Sequence, residues 1–316
     1  MKLQTQIPLE PQMQNRIDYF SRILLFGSCF TENMGSKVNY FKFQNLQNPL
    51  GILFHPIAIE NLISRTITAN TFKENDVFFH NEQWHSFEAH SSLSSINKHK
   101  LIECLNKRTQ ETAIALDQAT HVVITLGTAW VYKHLETNKI VANCHKVPQK
   151  HFAKVLLSVE EVNASLKNTI ALLRNANPQC TIIFTVSPVR HLKDGFVENT
   201  QSKAHLLTAI HQTIKPEDKL CYFPSYEIMM DELRDYRFYK EDMLHPNQIA
   251  VDYIWQHFVN VWFDPKTHET MQQVDTVQKG LQHKPFNTQT KAHKVFLDTL
   301  RAQKEALNAC YPHITF

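Results

Sequence analysis

Three short apolar runs constrain this chain more than any other feature of it. Arg22-Ile23-Leu24-Leu25-Phe26 ends at Gly27, His121-Val122-Val123-Ile124-Thr125-Leu126 ends at Gly127, and Thr181-Ile182-Ile183-Phe184-Thr185-Val186 ends at Ser187-Pro188. None of them alternates apolar with polar residues. Runs of this kind suit strands covered on both faces, as in a parallel sheet. Leu220-Cys221-Tyr222-Phe223 reads as a shorter fourth strand and Phe41-Lys42-Phe43 as a weak fifth. Between them lie helical patterns at about Thr31–Tyr40, Pro56–Thr68, Lys98–Asp117, Val159–Asn175, Thr200–Ile214, Ser225–Leu233 and Gln248–Phe263. Strands and helices in alternation predict a doubly wound α/β sheet. Val77–Phe87 and Trp130–Val141 fall outside the rhythm and read as hairpins, with Asn81-Glu82 and Glu136-Thr137-Asn138 at their tips. The tail holds two polar helical patterns broken at Pro285. The expected division is an α/β domain over 1–263 and a helical C-terminal appendage over 264–316.

The rest of the composition excludes several classes. The chain has 316 residues, long enough to bury a core without disulfide staples. Its 33 basic and 30 acidic residues are too evenly matched for a nucleic-acid footprint. Only six glycines occur, with neither GxGxxG nor P-loop spacing, which argues against a dinucleotide site and a phosphate cradle. The six cysteines contain no CxxC pair, so zinc ribbons and iron–sulfur clusters are not expected. No stretch approaches the roughly 20 apolar residues of a membrane span. Met1–Thr5 does not open a secretory signal, so reduced thiols and a cytoplasmic location are the expectation.

In an open parallel sheet, ligands bind outside the carboxyl ends of the strands. That rule selects Gly27-Ser28-Cys29-Phe30, Gly127-Thr128-Ala129-Trp130, Ser187-Pro188-Val189-Arg190 and the region after Pro224. Gly27 permits a sharp turn, and Ser28 would project at a strand end near a helix N-terminus, where an anion is favoured. Ser28 is either a nucleophile or only the cap of the helix, with Thr31 a further candidate cap. A serine nucleophile needs a base. Among 18 histidines, His245 is distinctive because Asp242-Met243-Leu244-His245 sits in a turn stopped by Pro246. Three residues apart, the carboxylate can orient the imidazole. The alternative is a plain turn at a helix start.

These residues carry a resemblance. Gly27-Ser28-Cys29-Phe30-Thr31 resembles the name-giving motif of the GSCFA family, with Thr31 where the name has alanine. Asn48-Pro49-Leu50-Gly51, Thr125 to Trp130, Asn143-Cys144-His145-Lys146, Ser187-Pro188-Val189-Arg190 and Asp242 to Pro246 resemble the same family in the same order, over about residues 20 to 260. That family is similar to the SGNH/GDSL hydrolases. The resemblance implies a flavodoxin-like, five-stranded parallel sheet in 2-1-3-4-5 order, with hairpin insertions here. It implies Ser28 as nucleophile, Asp242 and His245 as the other triad members, and backbone N–H groups at Ser28 and Gly51 facing the oxyanion. The third block departs from the superfamily's GxND, because Ala129 stands where the asparagine would be. Thr128 is the expected substitute donor, with Asn143 the alternative.

Trp130, Asn143, His145 and Arg190 are the candidate substrate-binding residues; the alternative is an ordinary core for Trp130, a plain loop for Asn143 and His145, and surface charge for Arg190. His191, beside Arg190, shares its strand-end position. Cys29 adjoins the serine, but successive side chains on such a turn diverge. His80, His85 and His90 recur at spacing five, which fits neither one helix face nor one strand face, so no metal is implied. No organic cofactor is implied either. The expected function is that of an SGNH-type serine esterase or deacylase acting on an acylated small molecule or carbohydrate. The rivals are an acyltransferase using the same triad, a non-catalytic ligand-binding protein on the same fold, and a protein-interaction role centred on the helical tail.

Overall fold

The computed structural model describes residues 5–316. Five parallel strands form the central sheet: β1 (Arg22–Gly27), β2 (Gln44–Gln47), β5 (His121–Leu126), β9 (Thr181–Val186) and β10 (Leu220–Tyr222). Their spatial order is β10-β9-β5-β1-β2. Counted along the chain, that is 2-1-3-4-5. The sheet is therefore of the doubly wound α/β class, with the switch between β1 and β5, where ligand crevices form.

Helices cover both faces: α1 (Cys29–Tyr40), α2 (Pro56–Ile67), α3 (Lys98–Gln118), α4 (Val159–Ala176), α5 (Phe196–Thr213), a one-turn α6 (Ser225–Glu227) and α7 (Gln248–Trp262). Along β1, Leu24 and Phe26 pack toward one set of helices, among Ile59, Leu62, Leu105, Leu166 and Leu206. Ile23 and Leu25 pack the other way, among Phe30, Met34, Ile254 and Phe258. Both faces are dry, which is why the runs show no alternation.

The strand expected at Phe41–Phe43 is not there. Lys42 adopts φ 64°, a turn closing α1, and Phe43 stacks on Tyr19 at 4.2 Å between ring centroids. The fifth strand is β2, which begins at the next residue, Gln44. Its sequence, Gln-Asn-Leu-Gln, is half-buried at the sheet edge and carries no apolar run. Helix α5 starts at Phe196 rather than Thr200, after Gly195 at φ 113°.

Both hairpins form. β3 (Phe78–His80) pairs with β4 (Gln83–His85) across Asn81 and Glu82, both at positive φ, the geometry of a tight primed turn. β6 (Trp130–His134) pairs with β7 (Ile140–Val141), and β8 (Phe152–Leu156) adds a third antiparallel strand on the far side of β6. β8 carries no sequence signal strong enough to mark it.

The last two helices, α8 (Thr267–Gln282) and α9 (Lys291–Cys310), contribute Val274, Val277, Leu300 and Leu307 to the core on the α1 and α7 side. Tyr40 on α1 donates its hydroxyl to Asp275 at 2.8 Å. Among the described residues, no helix is long and apolar enough to cross a membrane.

Candidate active site

At the end of β1 the chain turns sharply into α1. Gly27 sits at φ 142°, and a Cβ there would lie 2.2 Å from the Thr125 carbonyl oxygen. No other residue fits. The turn is clamped by Asn48, which is buried at φ 39°. Its Oδ1 accepts the Gly27 N–H at 2.9 Å, and its amide nitrogen donates to Glu32. Ser28 is the N-cap of α1, accepting the Phe30 N–H at 3.3 Å, and its side chain is 0% exposed. Thr31 is not the cap. It lies inside the first turn, and its hydroxyl reaches back to the Phe26 carbonyl at 3.5 Å. Burial pushes the Cys29 thiol up, and the nearby Lys203 and Lys240 offset this only in part. Cys29 therefore has the character of a buried thiol, not of a thiolate nucleophile.

The second motif lies between β10 and α7. Asp242 Oδ2 stands 2.7 Å from His245 Nδ1. The other carboxylate oxygen accepts the Leu244 N–H at 2.8 Å and the His245 N–H at 3.0 Å. Those two N–H groups, with the imidazole, hold the Asp242 carboxyl down at about 2. A carboxylate with this many donors is ionised and fixed in direction, and it orients the ring through Nδ1. The pair faces solvent, with side-chain exposures of 38% for His245 and 44% for Asp242. Ser28 Oγ and the His245 ring share no hydrogen bond among the described residues.

The expected oxyanion donors are all engaged elsewhere. The Ser28 N–H donates to Thr125 O at 3.1 Å, and the Gly51 N–H donates to Asn48 O at 2.7 Å. Gly51 closes a tight turn at φ 76°, and a Cβ there would meet His90 at 2.4 Å. Thr128 is buried with its hydroxyl 2.8 Å from Ser202 Oγ, and it accepts the Trp130 N–H at 3.0 Å. Thr128 thus knits the β5–β6 connection to α5. As arranged here, the two backbone N–H groups are engaged and the Thr128 hydroxyl is paired with Ser202.

Sequence reading missed Lys203. It is 1% exposed, and its ammonium donates to Gly127 O at 2.6 Å and Ser187 O at 2.7 Å, bridging the carboxyl ends of β5 and β9. No carboxylate pairs with it among the described residues, and burial lowers it to about 7. A buried lysine without a counter-ion is costly and concentrates at functional sites. The signal was present in the sequence. Asn199, Ser202, Lys203, Leu206, Ala209, Ile210 and Thr213 form the buried stripe of α5, so helical periodicity places Lys203 inward.

The arrangement matches known sequences in one respect. A sequence profile described as the GSCFA family matches residues 22–258. The chain belongs to the GSCFA family. A second profile, described as GSCFA domain protein, C-terminal domain, matches residues 274–316 and so covers most of α8 and all of α9. No curated protein matches the sequence. Among solved structures, this GSCFA chain is similar to a carbohydrate esterase family 3 protein from Talaromyces cellulolyticus, at 8% identity and a TM-score of 0.36, over 80% of this chain and 98% of that one. It is also similar to a mutant acetyl esterase with acetate ion, at 10% identity and a TM-score of 0.37, over 80% of this chain and 99% of that one. Likeness this distant says nothing of the chemistry.

The remaining candidates line cavities in which Ser28 takes no part. Trp130, Asn143 and His145 line a cavity of about 470 Å³ with Phe54, Tyr132 and Lys193. Trp130 donates its indole N–H to Glu198 O at 3.2 Å and carries the Lys154 ammonium 4.6 Å from its ring centroid. Asn143 accepts the His145 N–H at 2.8 Å, closing a turn, and does not reach the serine. His145 is buried, with Nε2 2.7 Å from Ser86 O, and burial drops it to about 4. Its Nε2 contact ties the β7–β8 connection to the segment after β4. Arg190 lines a different cavity, of about 370 Å³, with Tyr226, Tyr236 and Tyr239. Its guanidinium lies over Tyr239 at 4.8 Å and Tyr236 at 5.5 Å, and its backbone N–H donates to Leu244 O. It supports the loop that carries Asp242 and His245.

Proposed function

We propose that this GSCFA chain is a serine hydrolase, an esterase or deacylase acting on an acylated small molecule or carbohydrate. In this reading Ser28 attacks the acyl carbonyl. His245 takes the serine proton on Nε2 and returns it to the leaving group, while Asp242 holds the tautomer with the proton on Nδ1. Ser28 must first leave its contact with the Phe30 N–H, a single rotation between staggered χ1 wells. The freed helix N-terminus then favours the forming anion.

The observation that carries the reading is the Asp242–His245 pair. Its 2.7 Å contact and the two backbone N–H groups on the same carboxylate preorganise an imidazole as a base. The backbone contacts are those of an ordinary Asx turn; the side-chain contact to the imidazole is what goes beyond one. The aromatic walls contributed by Trp130 and Tyr132 to the neighbouring cavity suit a sugar face or an acyl chain. Transfer of the acyl group to an acceptor other than water would use the same residues.

A second reading has its own observation. Ser28 is fully buried and its hydroxyl already caps α1. A ligand-binding protein that never activates the serine would look the same there. Turnover of 4-nitrophenyl acetate and of a panel of acetylated sugars separates the two. The hydrolase reading expects turnover that Ser28→Ala abolishes. Tight binding of an acetylated sugar with no turnover of any ester supports the binding protein and overturns the hydrolase.

A further inference from the structure

Ala129 leaves the third block without its amide, and neither expected substitute takes the place. Thr128 is tied to Ser202, and Asn143 lies in a turn of the neighbouring cavity. One side chain at the strand ends has a polar atom that is buried and unused. His191 Nε2 is shut away from solvent with no hydrogen-bond partner among the described residues. Buried nitrogens of this kind are rare, and each calls for a reason.

We infer that His191 is the missing donor of this site: its Nε2–H hydrogen-bonds the acyl oxygen of the substrate as Ser28 attacks. The inference rests on the hydrolase reading above. The proton stays on Nε2 throughout. The imidazole donates, and the carbonyl oxygen accepts as its bond to carbon polarises.

Position supports this assignment. The imidazole lies against Gly127, the first residue after β5 and two before Ala129. A Cβ on Gly127 would meet His191 Nε2 at 3.1 Å and Phe54 Cβ at 3.0 Å. A side chain there would crowd the ring, which packs closely on the strand end. The ring's place is held on several sides. The His191 N–H donates to the buried Asn199 Oδ1 at 2.9 Å. Phe54 lies beside the ring at 6.0 Å between centroids. The preceding residue donates its N–H to Leu244 O, one residue before His245. The same stretch of chain thus touches the β5 end and the base loop, and His191 lies within electrostatic reach of His245 and Lys203.

The chemistry also fits. Burial first, then the charges of Lys203 and His245, holds His191 down at about 3. The imidazole is therefore neutral at working pH. A neutral imidazole donates a hydrogen bond without surrendering its proton, which suits an electrophilic role. Burial in a water-poor site strengthens such a bond. Lys203, donating to the carbonyls of Gly127 and Ser187, ties together the ends of β5 and β9, on the first of which the ring packs.

The test compares wild type, His191→Leu and His191→Gln in the full chain, with 4-nitrophenyl acetate as substrate. Leucine fills the space and removes the donor; glutamine returns an N–H at a similar reach. Loss of an oxyanion donor lowers kcat by about 10²- to 10³-fold. We expect His191→Leu to fall in that range with little change in KM, and His191→Gln to recover at least tenfold over leucine. A merely structural role would not restore kcat with a donor. A second readout is independent of the variants' stability. In wild-type protein labelled with [15N]histidine, phosphonylation of Ser28 by a fluorophosphonate should move the His191 Nε2–H proton resonance downfield. A leucine variant within twofold of wild type, a glutamine variant no better than leucine, or an unmoved resonance on a labelled Ser28 overturns the inference alone. A wild type that neither labels nor turns over any ester overturns the hydrolase reading, and the inference falls with it.

Discussion

The two halves of the candidate site are built in opposite ways. The base loop is local and open: Asp242 and His245 are three residues apart, hydrogen-bonded and facing solvent. The nucleophile turn is non-local and closed. Ser28 is buried, and its turn is fixed by Asn48 and by the Thr125 carbonyl on the neighbouring strand. The His245 ring is already hydrogen-bonded to Asp242, whereas the Ser28 hydroxyl is occupied in capping α1; in the proposed reaction only the serine has to change its contacts. The difference teaches that, under the proposed mechanism, the serine is the half whose contacts must change, while the Asp242–His245 contact can stay as it is.

The largest expected effect is at the closed half. Ser28→Ala should lower turnover by about 10³-fold or more, and adding His245→Ala should cost little further, because such residues act as a unit. Steady-state kinetics of the two single variants and the double variant check this. A double variant far worse than either single one would separate the two halves functionally and break the comparison.

The open half should respond next. Asp242→Asn keeps the shape but loses the fixed tautomer, and kcat should fall by about 10²- to 10⁴-fold. The fold should survive, because the loop is exposed. The sign of the pH effect on stability is set by the depressed pKa. Asp242 is held at about 2, below the 3.8 usual for an aspartate. Its contribution is therefore present above about 3.8 and disappears as pH falls toward 2. Acid unfolding of wild type and Asp242→Asn should converge below pH 2 and separate above 3.8.

Lys203 sharpens the closed half further. Its folded pKa of about 7 lies below the ordinary 10.5. Between those values the unfolded chain binds the proton and the folded chain does not, so stability rises with pH across that window. The unfolding temperature of wild type, measured relative to Lys203→Met, should climb from pH 7 toward pH 10. A flat difference would show that the ammonium is not desolvated in the way its two carbonyl partners imply.

The smallest expected effect is at Cys29. With its thiol pushed up by burial, Cys29→Ser should keep activity within a few-fold of wild type. A dead serine variant with an active Ser28→Ala would transfer the nucleophile to sulfur.

The sequence made some of this legible. The core strands β1, β5 and β9 appear as apolar runs because both faces of the sheet are covered. The Asp242–His245 contact was readable because a turn of three residues leaves little freedom. β2 was misplaced because an edge strand needs no apolar run, and Gln44 to Gln47 supplies none. The engaged state of Gly51 and Thr128 was not readable. It depends on Asn48 and on Ser202 of α5, the latter 74 residues away in sequence from Thr128. Lys203 stood in plain view on the buried stripe of α5, but a lysine is ordinarily assigned to the surface. The unpartnered nitrogen of His191 needs three dimensions to be seen at all.

The account stands on whether the buried serine becomes nucleophilic. Incubation of the wild-type chain with a fluorophosphonate, followed by mass spectrometry of the peptide containing Gly27-Ser28-Cys29-Phe30, tests this most directly. The expected result is one phosphonyl group on Ser28, lost in Ser28→Ala, strongly slowed in His245→Ala and kept in Cys29→Ser. An unmodified peptide, in a protein shown to be folded, would contradict the account.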